Sequence, residues 1–320
     1  MFSLLNLNPA LARGALPCAV TIGNFDGVHR GHQAMLARLK MAAAERGLPS
    51  AVMTFEPHPR EVFTPEQAPA RLTSLREKIE LFKRHGIDRV VLARFSRRFA
   101  RLTAPEFIDR ILIAGIQARW ILIGDDFRFG AQRAGDFALL RQAGTVHGFE
   151  VESLPSVLID GVRVSSTAVR DALAQGDMAL AAQFLGRPYS ISGRVVHGDK
   201  IGHELGYPTA NIQMKHNKRP LSGIFAVELC GLGGLPMQGV ASLGVRPTVK
   251  QNGAPTLEVH LFNFHDRIHG AHVRVDFLHK LRDEEKYPDL PSLIAQIERD
   301  VVNAKAFFLN RQDAKSAKIG

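Results

Sequence analysis

Cysteine is almost missing. Cys18 and Cys230 are the only two, too few for a disulfide framework or a cysteine zinc site, and this fits a reducing compartment, the cytoplasm by default. No run of 18 apolar residues occurs, and the opening "MFSLLNLNPALARGALP" has no basic region ahead of its apolar residues. The expectation is a soluble, unprocessed chain with no membrane partner. A Walker motif, G-x-x-x-x-G-K-[ST], is absent, and no G-x-G-x-x-G follows the first expected strand, which removes the ordinary P-loop and dinucleotide-binding readings.

What is present is a globular composition. Apolar residues make up 45% of the 320 positions and charged residues 22%, with an aromatic share of only 7%. That length exceeds the size at which single cores stop growing, so two domains are expected. The formal charge of +10 favours anionic partners such as nucleotides, nucleic acid or a membrane surface. It is spread evenly over both halves, which argues against a dedicated nucleic-acid arm.

From Ala19 to about Gly186, short apolar runs alternate with amphipathic segments, as in βα units around a parallel sheet. Strands are expected at 19–23, 50–55, 89–95, 119–124 and 149–154. A helix is expected at His32–Arg46, and capping boxes at Ser74–Glu77 and Thr103–Glu106 open two more. Helices near Ser166–Gln175 and Met178–Leu185 close this half.

Beyond Tyr189 the period changes to two, with Gly and Pro turns between "SISGRVVH", "GIFAVELCG", "QGVASLGV", "TLEVHLFNF" and "AHVRVDFLH". That pattern reads as an antiparallel barrel or sandwich. A helix near Asp289–Leu309 follows, and "NRQDAKSAKIG" reads as a frayed tail. The expected division is 1–186, 187–310 and a tail at 311–320.

The stretch "VTIGNFDGVHRGHQAML" places Gly23–Gly31 at the carboxyl end of the first strand and at the start of a helix. Open α/β sheets bind ligands there, and unpaired amides attract phosphate. His29 and His32 stand one helical turn apart and share a side. Zinc would need a third ligand and lacks the Glu of H-E-x-x-H. Two readings remain: a pair of helix-capping histidines with no chemistry, or two imidazoles donating to phosphoryl oxygens on an anion-binding turn.

In the second half, Gly198, Gly202 and Gly206 with Lys200 form a loop able to press amides against phosphates. Thr209 and Asn211 of "PTAN" point to one face. Their oxygens suit Mg²⁺ already carrying ATP oxygens, and equally suit a plain polar strand start. Alternation places Thr256, Glu258, His260 and Phe262 opposite Leu257, Val259 and Leu261. His265, His269 and His272 read more simply as a turn than as a metal cluster.

"HRGH" at 29–32 resembles the motif of the H-x-G-H nucleotidyltransferase superfamily. With "TFEPHPREVF", "GDDFRFG" and "VSSTAVRDAL" following it in that order and spacing, and "PTAN" resembling the riboflavin kinase signature, the chain resembles the prokaryotic bifunctional riboflavin kinase/FMN adenylyltransferases, or FAD synthetases, over nearly its whole length. The resemblance implies an N-terminal Rossmann-like nucleotidyltransferase domain and a C-terminal riboflavin kinase barrel followed by a helix. It implies ATP as co-substrate with Mg²⁺, riboflavin, FMN and FAD as substrates or products, and no nucleic-acid partner. Oligomeric state is not implied.

By the same resemblance, His29 and His32 serve catalysis of adenylyl transfer. Gly23, Phe25, Asp26 and Gly31 bind ATP phosphate, and Ser166, Thr167 and Arg170 close over it. On its own residues that last element reads equally as an N-cap with a surface Arg. Asp126 is either a nucleotide contact or a buried turn carboxylate. Phe55, Pro57, Pro59, Phe63 and Phe129 line the flavin side. For the kinase, Gly198, Lys200, Gly202, Thr209 and Asn211 take Mg-ATP, and Glu258 is the general base; a solvated strand Glu is its bland counterpart. Two alternatives outside the family are a basic nucleic-acid-binding protein and a flavoprotein oxidoreductase.

Overall fold

In the computed structural model, the described residues are 3–6, 16–197, 207–214, 218–245, 255–264 and 266–316. The chain divides into two compact units. One comprises Met1–Pro69 and Thr73–Ser165, the other Ala70–Leu72 and Ser166–Gly320.

The first unit is a six-stranded parallel sheet in the order β1-β4-β3-β2-β5-β6. Its strands are β1 (Ser3–Asn6), β2 (Cys18–Ile22), β3 (Ser50–Glu56), β4 (Arg89–Arg94), β5 (Ala118–Gly124) and β6 (Glu150–Leu154). Five lie within a residue or two of the expected positions, while β1 was not expected. Buried on both faces, β2 is apolar in four of five positions, and its Thr21 hydroxyl donates to the Leu122 carbonyl at 2.9 Å. Continuous apolar runs of this kind belong to parallel sheets covered by helices on both sides.

The helices are α1 (Arg30–Glu45), α2 (Pro59–Phe63), α3 (Leu75–Arg84), α4 (Ala104–Phe107) and α5 (Phe137–His147). Both expected capping boxes form: Ser74 with Glu77 opens α3 and Thr103 with Glu106 opens α4. The segment after α4 departs from expectation, because Ile108–Ile113 adopts wider π-type turns. A small unforeseen hairpin pairs β7 (Leu158–Ile159) with β8 (Val162–Arg163).

The second unit opens with α6 (Ser166–Gln175) and α7 (Met178–Leu185), whose ranges match the expected pair although that pair was expected to close the first half. A closed antiparallel barrel follows in the order β10-β13-β12-β11-β14-β9. Its strands are β9 (Tyr189–Val196), β10 (Thr209–Gln213), β11 (Gly223–Cys230), β12 (Met237–Val245), β13 (Pro255–Leu261) and β14 (His272–Arg282). Leu257, Val259 and Leu261 are buried inside while Glu258 and His260 are half-buried, as the alternation required.

The last helix, α8 (Leu290–Ser316), runs past Leu309 through part of the segment expected to fray. The helix meets the barrel at two places, the second of them within the extension. Ala304 and Phe308 pack on Ala226 against the outside of the barrel, and Arg311 reaches Glu228 of β11 at 3.4 Å. Nearer its start, Arg282 of β14 holds the buried Asp300 through Nε and Nη2, the latter at 2.7 Å.

Candidate active sites

The turn after β2 is built under conformational strain. Phe25 and Val28 have positive φ values of 49° and 41° on either side of Gly27 at 81°, a region that side-chain-bearing residues occupy at a cost. Interior contacts hold it there. Phe25 is 1% exposed, with its ring edge-on to Phe82 and 4.9 Å from His32. Asp26 is also buried, and one of its oxygens accepts from both the amide and the hydroxyl of Thr73, at 3.1 and 3.2 Å. The Thr73 hydroxyl in turn accepts from the Gly27 amide at 3.0 Å. Asp26 therefore ties the turn to the residues ahead of α3. This 47-residue separation carries no sequence signal.

The helix starts two residues before the expected position, so His29 becomes its N-cap. Its Nδ1 accepts from the His32 amide at 3.4 Å, which places the proton of a neutral His29 on Nε2. The two imidazoles stack with centroids 3.6 Å apart and planes inclined by 19°. Gly31 leaves room for the stack, since a Cβ there would lie 3.2 Å from the His29 ring. Burial, then His29, then Lys78 hold the His32 imidazole well below the usual histidine range. His32 is thus neutral at neutral pH. Its Nδ1 and the Asn24 Oδ1 are buried without a hydrogen-bond partner, so the turn carries two polar atoms that a ligand would satisfy.

The other expected residues of this unit fall into three groups. Phe55 and Phe63 belong to an aromatic cluster centred on Phe95 and Phe99: Phe95 lies 5.8 Å from both, and Phe55 lies 6.0 Å from Phe99. Pro57 and Pro59 bracket His58, which caps the short α2. Phe129 sits in the core at 5% exposure against Phe107 and Phe127, leaving Phe127 as the half-buried ring of the pair. Asp126 is no buried turn carboxylate: its side chain is 69% exposed and ion-paired with Arg163 at 2.7 Å. Sequence reading missed Phe95 and Phe99, which a motif search passes over because they stand in an otherwise basic stretch.

At the opening of the second unit, α6 begins at Ser166, so Ser166 and Thr167 occupy its first turn and the capping position falls to Ser165. Arg170 donates from Nε to the Ala70 carbonyl at 2.6 Å.

In the barrel, Thr209 and Asn211 share one half-buried face of β10. They line a cavity of about 720 Å³ together with His197, Asp266, Arg267 and His269, a volume typical of small-molecule sites. The His197 and His269 rings stack at 4.1 Å. Antiparallel register sets Asn211 opposite Glu258, and Glu258 opposite Ser242. All three side chains therefore lie in one row on the outer face, while Ala210 and Val259 face inward. The Thr209 hydroxyl and the Asn211 amide oxygen are neutral hard donors, and among the described residues no group of three His, Cys, Asp or Glu could hold a metal ion. Gly198, Lys200, Gly202, Gly206 and His265 lie outside the described residues.

A family model described as FAD synthetase matches residues 13–168, and one described as Riboflavin kinase matches residues 185–308. A nucleotidyltransferase-type sheet followed by a kinase-type barrel defines the class: a transferase with two catalytic domains. The bifunctional riboflavin kinase/FMN adenylyltransferase of Escherichia coli strain K12 is 48% identical over 303 residues, covering 95% of this chain and 96% of its own. The enzyme of the same name from Pseudomonas fluorescens is 49% identical over 289 residues, 90% of this chain and 92% of its own. The chain belongs to the bifunctional riboflavin kinase/FMN adenylyltransferase family. A crystal structure titled Macrolide-efflux Protein, from Streptococcus pneumoniae, shares the fold at a TM-score of 0.79 and 30% identity, covering 93% of this chain and 97% of that one. Among the described residues no helix is long and apolar enough to cross a membrane.

Proposed function

We propose that the barrel unit phosphorylates riboflavin to FMN, and that the histidine turn of the first unit then adenylylates FMN to FAD with release of pyrophosphate, each step consuming ATP. The observation that carries the adenylyl assignment is the stacked His29–His32 pair at the start of α1. The phosphate of FMN is already ionised at neutral pH and needs no base. The difficulty is charge accumulating on the α-phosphoryl group of ATP, which neutral imidazole N–H groups and helix-start amides stabilise without a proton transfer. The neutral state of His32 supports this role. Asp26 acts here by fixing the turn, and Phe55, Phe63 and Phe127 offer flat faces to the flavin, with Phe129 packed behind. The division of labour follows 1–186 for adenylyl transfer and 187–310 for the kinase. Arg170 with Ser166 and Thr167 serves the ATP phosphates.

The kinase step is chemically different. A ribityl 5′-hydroxyl is a poor acid, so a positioned carboxylate helps, and Glu258 takes that proton as the oxygen attacks the γ-phosphoryl group. Thr209 and Asn211 fit a magnesium ion by donor type and shared face, and would hold it together with phosphate oxygens of ATP; when bound it neutralises charge on the transferred group. The adjoining cavity takes the nucleotide, with Gly198, Lys200 and Gly202 of the neighbouring sequence serving its phosphates. The +10 charge complements these anionic substrates and requires no nucleic-acid partner. A cytoplasmic setting agrees with ATP as co-substrate and with two free cysteines.

The test is incubation of the purified chain with riboflavin, ATP and Mg²⁺, followed by chromatography of flavins and pyrophosphate. Sequential appearance of FMN and FAD is expected. Unchanged riboflavin would refute the kinase assignment, and FMN that never advances to FAD would refute the other.

A further inference from the structure

The outer face of the barrel around Glu258 has two borders. On one side, Val240 and Phe262 pack against Phe307 and Phe308 of α8. On the other lies Glu284, from the segment joining β14 to α8. Gly244 stands opposite Thr256, one step along the strands from the row of Ser242 and Glu258. A Cβ on Gly244 would collide with Oε1 of Glu284. The carboxylate therefore rests directly on the backbone of β12, on the Glu258 face, where any side chain on residue 244 would displace it. Arg219 holds it: Nη1 lies 3.5 Å from Oε2 of Glu284 and donates to the Leu243 carbonyl at 3.0 Å. The Glu284 side chain remains 39% exposed, so the pair leaves acceptor capacity facing outward.

The geometry points to Glu284 as a substrate-binding residue of the kinase site, one that accepts a hydrogen bond from an inner hydroxyl of the ribityl chain while Glu258 serves the terminal one. This rests on the kinase reading of the barrel. Gly244 and Glu258 are diagonal neighbours, and such positions are about 7–8 Å apart in an antiparallel pair. That separation is comparable to the span of the ribityl hydroxyls, which are donors lying in a row. A carboxylate offers acceptors only, and bonds to it are stronger than neutral ones. Arg219 limits the cost of ordering the carboxylate by fixing it before substrate arrives. The chemistry selects a polyhydroxyl chain over an apolar substituent on the same flavin ring, because a site built to bind a hydroxyl rejects the analogue lacking it.

The experiment compares wild type with Glu284→Gln on riboflavin and on its 2′-deoxy and 3′-deoxy analogues, with Glu258→Gln as a control for the kinase reading. Expected is a loss of about tenfold or more in kcat/KM for riboflavin, carried by KM, with the KM for ATP unchanged and supplied FMN still converted to FAD. The penalty should shrink to near unity with one deoxy analogue, since that substrate no longer offers the bond the variant weakens. Arg219→Gln should give a smaller loss of the same pattern. An equal penalty on all three flavins, or a riboflavin KM within twofold of wild type, overturns the proposal. Wild-type protein that forms no FMN, or Glu258→Gln that remains fully active, would sink the kinase reading itself, a result distinct from either.

Discussion

His29 has two roles in this structure, and one pair of substitutions separates them. As N-cap it accepts the His32 amide, and as a stacked imidazole it presents Nε2–H at the turn. His29→Ala removes both. The lost cap is worth about 1 kcal/mol, and losing one preorganised donor to developing phosphoryl charge costs about 10²–10³ in kcat. His29→Asn keeps an N-cap side chain of the preferred kind while deleting the ring donor. The expected outcome is that His29→Asn unfolds in urea at nearly the wild-type midpoint and His29→Ala earlier, while both lose FAD formation by at least about a hundredfold. In both, riboflavin should still become FMN, which accumulates and is quantified by chromatography. If His29→Asn restored stability and FAD formation together, His29 would be a cap and nothing more. Loss of the kinase step in a folded variant would refute the separation of the two chemistries.

Glu258→Ala should abolish riboflavin phosphorylation while leaving supplied FMN convertible to FAD, the reverse pattern in the same chromatographic assay. The depressed pKa of His32 predicts acid sensitivity: below about pH 6.5 the unfolded chain binds a proton that the folded one refuses, so stability falls by up to about 1.4 kcal/mol per pH unit until the folded pKa is reached. Urea titrations by circular dichroism between pH 5 and 8 should show this slope, and His32→Asn should flatten it. Burial pushes the Cys18 thiol up to about 11 against a smaller opposing pull from Arg89, so an alkylating reagent at pH 8 should modify Cys18 only after denaturation, as read by mass spectrometry. Asp300→Ala strands Arg282 beneath α8 and should destabilise the barrel unit by about 3 kcal/mol, read as an earlier calorimetric transition; an unchanged transition would mean that the helix is held by its apolar contacts alone.

Periodicity made most of the architecture readable. The apolar runs at 50–55 and 119–124 and the alternation through 256–262 placed strands because burial on two faces, or on one, leaves a direct trace in residue type. Capping boxes marked α3 and α4 for the same local reason. The parts that were not readable depend on distant partners. No pattern in Asp26 announces Thr73, and none in Asp126 announces its ion pair with Arg163. The tail expected to fray is helical through Ser316, with Arg311 meeting Glu228 of a distant strand. At the first site, the motif marked His29 and His32, but only packing shows that one nitrogen is committed to the helix and that the partner ring is uncharged. Gly244 reads as part of an ordinary strand, and its contact with Glu284 joins residues forty positions apart.

The one tryptophan, Trp120, is 1% exposed in β5, with the guanidinium groups of Arg38 and Arg46 at 5.5 and 5.4 Å from its ring centre. All three tyrosines, Tyr189, Tyr207 and Tyr287, belong to the other unit. Indole emission therefore reports on the sheet, and phenol absorbance on the barrel. The chain carries its own pair of optical labels, by which the melting of each half is followed in one cuvette without a dye or a domain truncation.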